Sequence, residues 1–256
     1  MVGDRVLCDL LDAGTGVVRE VKPRRTALNR PAVCNVDQVL IVATLREPTP
    51  NFGLVDRLLV TAEFMGLDAI VGFNKADLGG DDEAEALHQA YDPLGYPCLV
   101  FSVAERRGME RLRDLLEDRV TVLAGQSGVG KSSLINLLAG VEKFATREVS
   151  DKTGTGRHTT RHVELLPLPS PRKGFVVDTP GFNRLELPKG LTADRLDACF
   201  PEMDVRQDCR FGVSCAHLAE PGCAVKAAVE NHQIAQSRYQ SYQLLYQELK
   251  QLERRY

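Results

Sequence analysis

Strand-like and helix-like hydrophobic patterns alternate along the chain from Asp37 onward. The run from Gln38 to Ala43 is apolar after its first residue, as in a buried strand, whereas Phe52 to Met65 has the spacing of an amphipathic helix. Further strand and helix signals follow in pairs up to Ala124. This alternation predicts an α/β domain in which helices wrap a parallel sheet.

The first 36 residues show a different pattern. Arg5 to Leu10 and Gly16 to Val21 are short alternating segments joined by a turn at residues 13–15, which predicts antiparallel β structure. Two or three strands cannot close a barrel. We therefore expect either that this segment packs on the following domain or that the chain lacks its beginning.

A glycine-rich segment, residues 125–132, fits the pattern G-x-x-x-x-G-K-[ST]. A predicted strand, 119–124, precedes it, and a predicted helix, 133–138, follows. The N-terminus of this helix would face an anion bound by the segment. The glycines permit backbone torsions that turn successive N–H groups toward a phosphate. Lys131 would place its charge between the β- and γ-phosphates, and the Ser132 hydroxyl would coordinate Mg²⁺. The segment is therefore predicted to be a phosphate loop.

A second candidate segment, Asn74 to Asp77, follows the predicted strand 68–73. The Asp77 carboxylate can accept hydrogen bonds from N1–H and the exocyclic amine of guanine, and adenine offers neither donor in that geometry. A site built on such a pair rejects the wrong base, because its buried carboxylate would be left unsatisfied. Ser102, after the predicted strand 97–101, partly matches a Ser-Ala pair that backs the guanine carbonyl in GTPases.

A third segment, Asp178 to Gly181, follows the predicted strand 173–177. Asp178 would hold Mg²⁺ through water, and the Gly181 N–H would contact the γ-phosphate. Many GTPases place a glutamine after this glycine to orient the attacking water, but Phe182 cannot do so. Another group must therefore position the water.

Residues 154–162 contain the best candidates for that task. Thr159 or Thr160 could complete the Mg²⁺ shell, and His158 or Arg157 could approach the γ-phosphate. The alternative for His158 is a solvated loop histidine.

The order of the three segments is informative. In the usual GTPase the phosphate loop opens the domain and the guanine-reading segment lies near its end, whereas here the guanine-reading segment comes first. The order predicts a circularly permuted GTPase domain.

Length and charge bound the alternatives. The 256 residues leave room for one domain of ~150 residues and two small ones. With 32 basic and 35 acidic residues, net charge neither suggests nor excludes nucleic acid. Basic residues cluster at 22–30, 157–162 and 250–255, either facing phosphates or forming ordinary solvated faces. No run of about 18 apolar residues and no signal peptide occurs, so we expect a soluble cytoplasmic protein. No long coiled coil or extended exposed apolar stretch is evident, so we expect a monomer.

Three of the seven cysteines cluster near the C-terminus. Cys209, Cys215, His217 and Cys223 give C-x₅-C-x-H-x₅-C, which favours one structural Zn²⁺ bound by three thiolates and an imidazole. The other four, Cys8, Cys34, Cys98 and Cys199, are predicted to be small buried hydrophobic residues.

The last helix carries a stripe at helical spacing, made of Tyr239, Tyr242, Leu245, Leu249 and Leu252. Such a stripe favours a packing face. The alternative is that its tyrosines and the terminal arginines contact RNA.

Together these segments resemble the RsgA (YjeQ) family of GTPases that depend on the small ribosomal subunit. Beside the motifs above, the resemblance covers residues 2–6, 25–31, 35–38, 56–59, 200–202, 220–226 and 238–239. The family spaces its first two cysteines by four residues rather than five, and it has threonine where Arg161 stands.

The resemblance implies an N-terminal OB-fold that binds RNA (residues 1–36, with fewer strands than usual), a permuted GTPase domain (37–190) and a C-terminal zinc-binding helical domain (191–256). It also implies docking on the small ribosomal subunit and its rRNA during late maturation.

The residues expected at the sites are as follows. GTP or GDP is expected at Asn74, Lys75, Ala76, Asp77, Ser102, Gly125, Gln126, Ser127, Gly128, Val129, Gly130, Lys131, Ser132, Ser133, Asp178 and Gly181. Mg²⁺ is expected at Ser132, Thr159, Thr160 and Asp178, and catalytic roles at His158 and Lys131.

The leading hypothesis is a Mg²⁺-dependent GTPase stimulated by the small subunit. The second is an rRNA-docking assembly factor that uses GTP only as a conformational lock. A third, another permuted GTPase acting on the large subunit, is disfavoured because those families do not place this zinc cluster after the last GTPase motif.

Overall fold

The computed structural model describes residues 1–11, 15–29, 32–141, 163–171, 173–178 and 187–254. Its strands are β1 (Val6–Leu10), β2 (Gly16–Val21), β3 (Ala27–Asn29), β4 (Ala32–Cys34), β5 (Gln38–Thr44), β6 (Asp68–Asn74), β7 (Cys98–Val100), β8 (Val120–Ala124), β9 (Glu164–Pro167) and β10 (Phe175–Asp178). Its helices are α1 (Phe52–Met65), α2 (Asp81–Tyr91), α3 (Met109–Leu116), α4 (Lys131–Ala139), α5 (Ala224–Glu230) and α6 (Gln236–Glu253). Short 3₁₀ turns connect several of them, including four between Ala193 and Ser214.

One six-stranded sheet, in the order β7-β6-β5-β8-β10-β9, forms the centre of the fold. The predicted parallel arrangement is confirmed for β7, β6, β5, β8 and β10. The edge strand β9 differs, because it pairs with β10 in the antiparallel direction. A short connection suffices for such a hairpin, whereas a parallel pair needs a crossover of a dozen or more residues.

Helices cover both faces of this sheet. On β5, Val39 and Ile41 belong to the hydrophobic core beneath α1 and α2, whereas Leu40 and Val42 belong to the core beneath α3 and α4. All seven residues of β5 are buried. A parallel strand buried on both faces is typical of an α/β layer fold, which explains the continuous apolar run in the sequence.

The N-terminal segment divides into two parts. The β3–β4 hairpin packs on the domain, since Leu28 and Val33 join the core beneath α1. The β1–β2 hairpin is antiparallel as predicted, but every residue in both strands is exposed. Cys8 is therefore exposed, and its prediction as a buried residue is wrong.

Two arginines of the N-terminal basic cluster have acidic partners. Arg24 Nε lies 2.6 Å from Asp4 Oδ1, and Arg25 Nη2 lies 2.8 Å from Asp37 Oδ1. The hydrogen bond from Arg24 holds the pKa of Asp4 well below its usual range. Part of this cluster is thus paired within the chain.

The C-terminal region, residues 187–254, has a separate hydrophobic core. Tyr239, Tyr242, Leu245 and Leu249 of the predicted stripe are buried in it, but Leu252 is exposed at the end of α6. The Tyr239 and Tyr242 hydroxyls donate to backbone carbonyls. These two tyrosines pack inside the protein, which favours the packing-face interpretation of the stripe.

Among the described residues, no helix has the length and apolar character needed to cross a membrane.

Candidate nucleotide site and metal centre

The guanine-reading segment lies at the carboxyl end of β6. Asn74 is 2% exposed, and its side chain joins two loops. Its Nδ2 donates to the Val129 carbonyl oxygen at 2.8 Å, and its Oδ1 accepts from the Val103 N–H at 3.1 Å. Asn74 therefore links this segment both to the phosphate loop and to the loop after β7.

Ser102 orients the carboxylate predicted to read the base. Its hydroxyl donates to Asp77 Oδ1 at 2.5 Å and accepts from the Glu105 N–H at 3.1 Å. Ser102 is fully buried. The structure thus places Ser102 behind Asp77, where its hydroxyl holds the acidic side chain.

The phosphate loop lies between β8 and α4, as predicted, and its glycines are needed for close approach. Gly125 has φ 137°, and a Cβ there would lie 2.0 Å from the Val42 carbonyl oxygen. Gly130 has φ 95°, and a Cβ there would lie 2.4 Å from Asn74 Nδ2. A side chain at either position would clash with a neighbouring strand. Because glycine has none, the strands can lie close to the loop backbone.

Lys131 begins α4 and turns back over the loop. Its Nζ donates to the carbonyl oxygens of Gly125 and Gln126 at 2.8 and 2.7 Å. The ammonium group is thereby held at the loop that the sequence predicts to cradle phosphates. The backbone of Ser132 and Ser133 follows in the first turn of α4, at the helix N-terminus.

The third motif starts at the end of β10, beside β8. The carboxyl ends of β6, β8 and β10 share one edge of the sheet, where open α/β sheets bind ligands. The backbone of Asp178 is therefore next to the phosphate-loop strand. Gly181, His158, Thr159 and Thr160 lie outside the described residues.

The end of β5 and the segment before α1 line a small cavity beside the phosphate loop, and the sequence analysis did not identify them. Thr44, Pro50 and Asn51 surround a cavity of about 10 Å³ together with Gly125 and Gln126 of the phosphate loop. The only sequence signal is position, because β5 lies between the strands that carry the two motifs.

The four predicted metal ligands come together in the C-terminal region. Cys209, Cys215, His217 and Cys223 are all buried, with ligand atoms within 4.8 Å of one another. Cys209 Sγ lies 3.9 Å from Cys223 Sγ, and His217 Nδ1 lies 3.6 and 3.4 Å from these two sulfurs.

These distances can be compared with tetrahedral geometry. Bonds of about 2.3 Å to sulfur and about 2.0 Å to nitrogen predict edges of about 3.8 Å between sulfurs and about 3.5 Å between sulfur and nitrogen. The observed separations agree with both values. The arrangement fits a four-coordinate metal ion.

A second layer of contacts supports the cluster, and the sequence reasoning missed it. His217 Nε2 lies 3.5 Å from Asp197 Oδ2, an arrangement that fixes the ring so that Nδ1 faces the ligand site. The Glu220 carboxylate accepts from the backbone N–H groups of Ala216, Leu218 and Ala219. Neither acid belongs to a local ligand pattern, although Glu220 lies in the segment 220–226 that carried the resemblance.

The fold and site define a class of protein: a circularly permuted P-loop domain with a predicted guanine-reading loop, joined to a cysteine–histidine cluster that could hold a metal ion. The family model described as RsgA GTPase matches residues 21–188. The chain belongs to the RsgA GTPase family, whose members hydrolyse GTP.

Relatives and solved structures agree with this assignment. Proteins named "Small ribosomal subunit biogenesis GTPase RsgA" from Moorella thermoacetica and Caldanaerobacter subterraneus are 47% and 41% identical. Their alignments cover 94% and 100% of this chain and 81% and 85% of the relatives.

Crystal structures of YjeQ from Thermotoga maritima and of YloQ, described as a circularly permuted GTPase, both give a TM-score of 0.81. Their identities are 37% and 34%, with 97% and 98% of this chain and 84% and 80% of theirs covered. The permutation predicted from motif order is confirmed.

Proposed function

We propose that this chain hydrolyses GTP to GDP and phosphate when it is stimulated by the small ribosomal subunit, during late maturation of that subunit. The observation that carries the proposal is the side chain of Asn74. It ties the guanine-reading loop to the phosphate loop through one amide. A base and a phosphate chain could thus be bound by one rigid unit.

In this proposal Asp77 reads guanine from a carboxylate that Ser102 orients. Lys131 leaves the loop carbonyls and stabilises the β- and γ-phosphates. Backbone N–H groups of the loop and the N-terminus of α4 bind the remaining phosphate oxygens. Val103, whose N–H holds Asn74, contributes through the backbone.

Magnesium fits the hydroxyl and carboxylate set of Ser132 and Asp178, with Thr159 or Thr160 as a further ligand. The ion would neutralise charge that develops on the transferred phosphoryl group. His158 positions the attacking water in place of a glutamine, since Phe182 cannot. Gly181 contacts the γ-phosphate through its N–H.

Zinc is the metal that best matches three thiolates and one imidazole in a closed tetrahedral set. It leaves no open position for substrate, so its role is structural. The cluster would hold the segment of short 3₁₀ turns against the two helices that follow it.

The small-subunit partner rests on the relatives' names. The exposed β1–β2 hairpin and the basic residues near it offer a surface for rRNA. We propose a cytoplasmic monomer of three parts, residues 1–36, 37–190 and 191–256, that docks on the subunit with GTP bound.

The test is GTP hydrolysis by the zinc-loaded chain, alone and with purified small subunits, with large subunits and ATP as controls. Without a glutamine or an arginine finger, the basal rate should lie at or below roughly 10⁻³ per second. A rise of about tenfold or more, only with GTP and small subunits, is expected. His158→Ala should remove most of that rise, whereas His88→Ala, a change at a partly exposed position of α2, should leave it intact.

The second candidate, a docking factor that uses GTP as a lock, is favoured by one observation, Phe182 at the position of the usual glutamine. In that case the rate would stay basal, while GTP analogues and GDP would still give different affinities for small subunits. Co-sedimentation with each nucleotide measures that difference.

A further inference from the structure

Helix α1 lies between the sheet and the C-terminal region. Val55, Leu58 and Leu59 face the sheet and join the core beneath α1. Val60 instead belongs to the core of the C-terminal region, against which Phe64 also packs. The spacing of four residues places Asp56, Val60 and Phe64 on one stripe of the helix. The helix thus belongs to two cores at once.

Asp56 on this stripe has a complete set of partners. It is 2% exposed. Its Oδ1 accepts from Arg238 Nη1 at 2.6 Å and from the Tyr91 hydroxyl at 3.1 Å, and its Oδ2 accepts from Ser241 Oγ at 2.5 Å. Two of these donors lie on α6 and one on α2, so the carboxylate joins three helices.

Arg238 continues the network into the C-terminal region. It is also 2% exposed. Its Nε and Nη2 donate to the two oxygens of Glu202 at 2.6 and 3.2 Å, and its guanidinium lies 4.6 Å from the centre of the Phe200 ring. Burial alone would lower the pKa of Arg238, but the carboxylates of Asp56 and Glu202 raise it above its usual value. The buried Arg238 guanidinium therefore pairs with Asp56 of α1 and with Glu202 of the C-terminal region.

The N-terminal end of α1 lines a cavity beside the predicted phosphate loop. Its N-cap is Asn51, whose side chain accepts from the Leu54 N–H at 2.9 Å. Asn51 and Leu54 line the small cavity that Gly125 and Gln126 close from the phosphate loop. With 14 residues, the helix is about 21 Å long. One helix therefore runs from the wall of the phosphate-loop cavity to the buried carboxylate network.

We propose that the buried Asp56–Arg238–Glu202 network couples the guanine-nucleotide site to the C-terminal region through α1, so that nucleotide binding and ordering of that region stabilise one another. Arg238 acts as a positioning residue far from the phosphates. Coupling of this kind is reciprocal. The proposal needs the nucleotide site but not the proposed docking on the ribosome.

The experiment is amide hydrogen exchange of α6 in the full, metal-loaded chain, with and without saturating GDP. Conditions are chosen so that β5 amides do not exchange, because ligand binding slows every exchange event that passes through global unfolding. Asp56→Asn keeps the shape of the side chain and leaves Arg238 neutralised by Glu202. Glu248→Gln is the matched control, since Glu248 pairs with Arg57 between the same two helices at a less buried place.

GDP is expected to slow α6 exchange at least ~fivefold in the wild type and in Glu248→Gln, and less than about twofold in Asp56→Asn. Coupling is reciprocal, so removing the metal from the cysteine–histidine cluster, with Mg²⁺ kept in excess, should weaken GDP binding by a similar factor. This loss is expected in the wild type and in Glu248→Gln, but not in Asp56→Asn. If Asp56→Asn does not fold, Arg238→Lys, which keeps the charge but not the two-sided geometry, takes its place. An unchanged GDP effect in the folded variant, or no GDP effect in the wild type, overturns the proposal.

Discussion

The Asn74 amide joins the two loops of the predicted nucleotide site, and it can be altered with little change in size. In Asn74→Asp, one oxygen still accepts from the Val103 N–H. The other replaces a donor and faces the Val129 carbonyl oxygen, which lies 2.8 Å from Nδ2 in the wild type. Two acceptors then face each other in a buried position.

The magnitude follows from these contacts. The lost hydrogen bond is worth about 0.5–1.5 kcal/mol, and leaving buried acceptors unsatisfied costs a further ~1–3 kcal/mol. The total is about 1.5–4.5 kcal/mol. If the two loops separate and nucleotide must bring them together again, this penalty appears in binding as a loss of about 10-fold to 2,000-fold.

The assay is titration of the variant with a fluorescent GDP derivative, combined with urea unfolding. Asn35→Asp is the matched control. Asn35 is 3% exposed, donates to the Gly3 carbonyl oxygen at 2.8 Å and accepts from the Arg25 N–H at 2.9 Å, away from the nucleotide loops. Both variants should lose similar stability, but only Asn74→Asp should lose nucleotide affinity. GDP affinity within about threefold of the wild type in Asn74→Asp would refute this reasoning.

Three further predictions concern the loop and the thiols. Lys131→Ala should abolish GTP hydrolysis in a phosphate-release assay, because the loop loses its cation; retained turnover would remove Lys131 from the catalytic machinery. Gly130→Ala should lose fluorescent-GDP binding, since the new Cβ would meet Asn74 Nδ2 at 2.4 Å, while zinc content by elemental analysis stays unchanged; normal GDP affinity would contradict this. A thiol reagent should label Cys8 first in the metal-loaded chain, because burial raises the pKa of Cys98 to about 12 and that of Cys199 to about 11. Peptide mass spectrometry checks the order, and rapid labelling of Cys98 or Cys199 in the folded chain would be inconsistent with it.

Local patterns predicted most of the α/β layer. The bounds of α1, Phe52–Met65, agree with its apolar periodicity, because one face of a surface helix must meet the core. The strands beside both nucleotide motifs were also predictable, since parallel strands buried on two faces give continuous apolar runs. The four metal ligands were predictable because they lie close together in sequence.

Contacts between distant residues were not predictable in this way. Asp56 and Arg238 lie 182 positions apart, and nothing local to either residue indicates the other. The pairing of Asp197 with His217 could not be predicted from the sequence either, because no regular spacing relates a carboxylate on a short turn to a distant histidine. Cys8 was predicted to be a small buried residue, yet no described element covers the β1–β2 hairpin. Alternation shows that a strand can bury one face, and tertiary packing decides whether it does.

The most direct test of the account is equilibrium binding of GDP, ADP and xanthosine diphosphate to the wild type and to Asp77→Asn. The Asp77 carboxylate, held by Ser102, is expected to accept two hydrogen bonds from guanine, each worth about 1.5–3 kcal/mol because the acceptor is charged. The wild type should therefore bind GDP at least ~100-fold more tightly than ADP. Asp77→Asn should lose that preference and gain affinity for xanthosine diphosphate, whose second oxygen accepts from the new amide. Equal affinity of the wild type for GDP and ADP, or an unchanged preference in Asp77→Asn, would contradict the assignment of this loop as the guanine site.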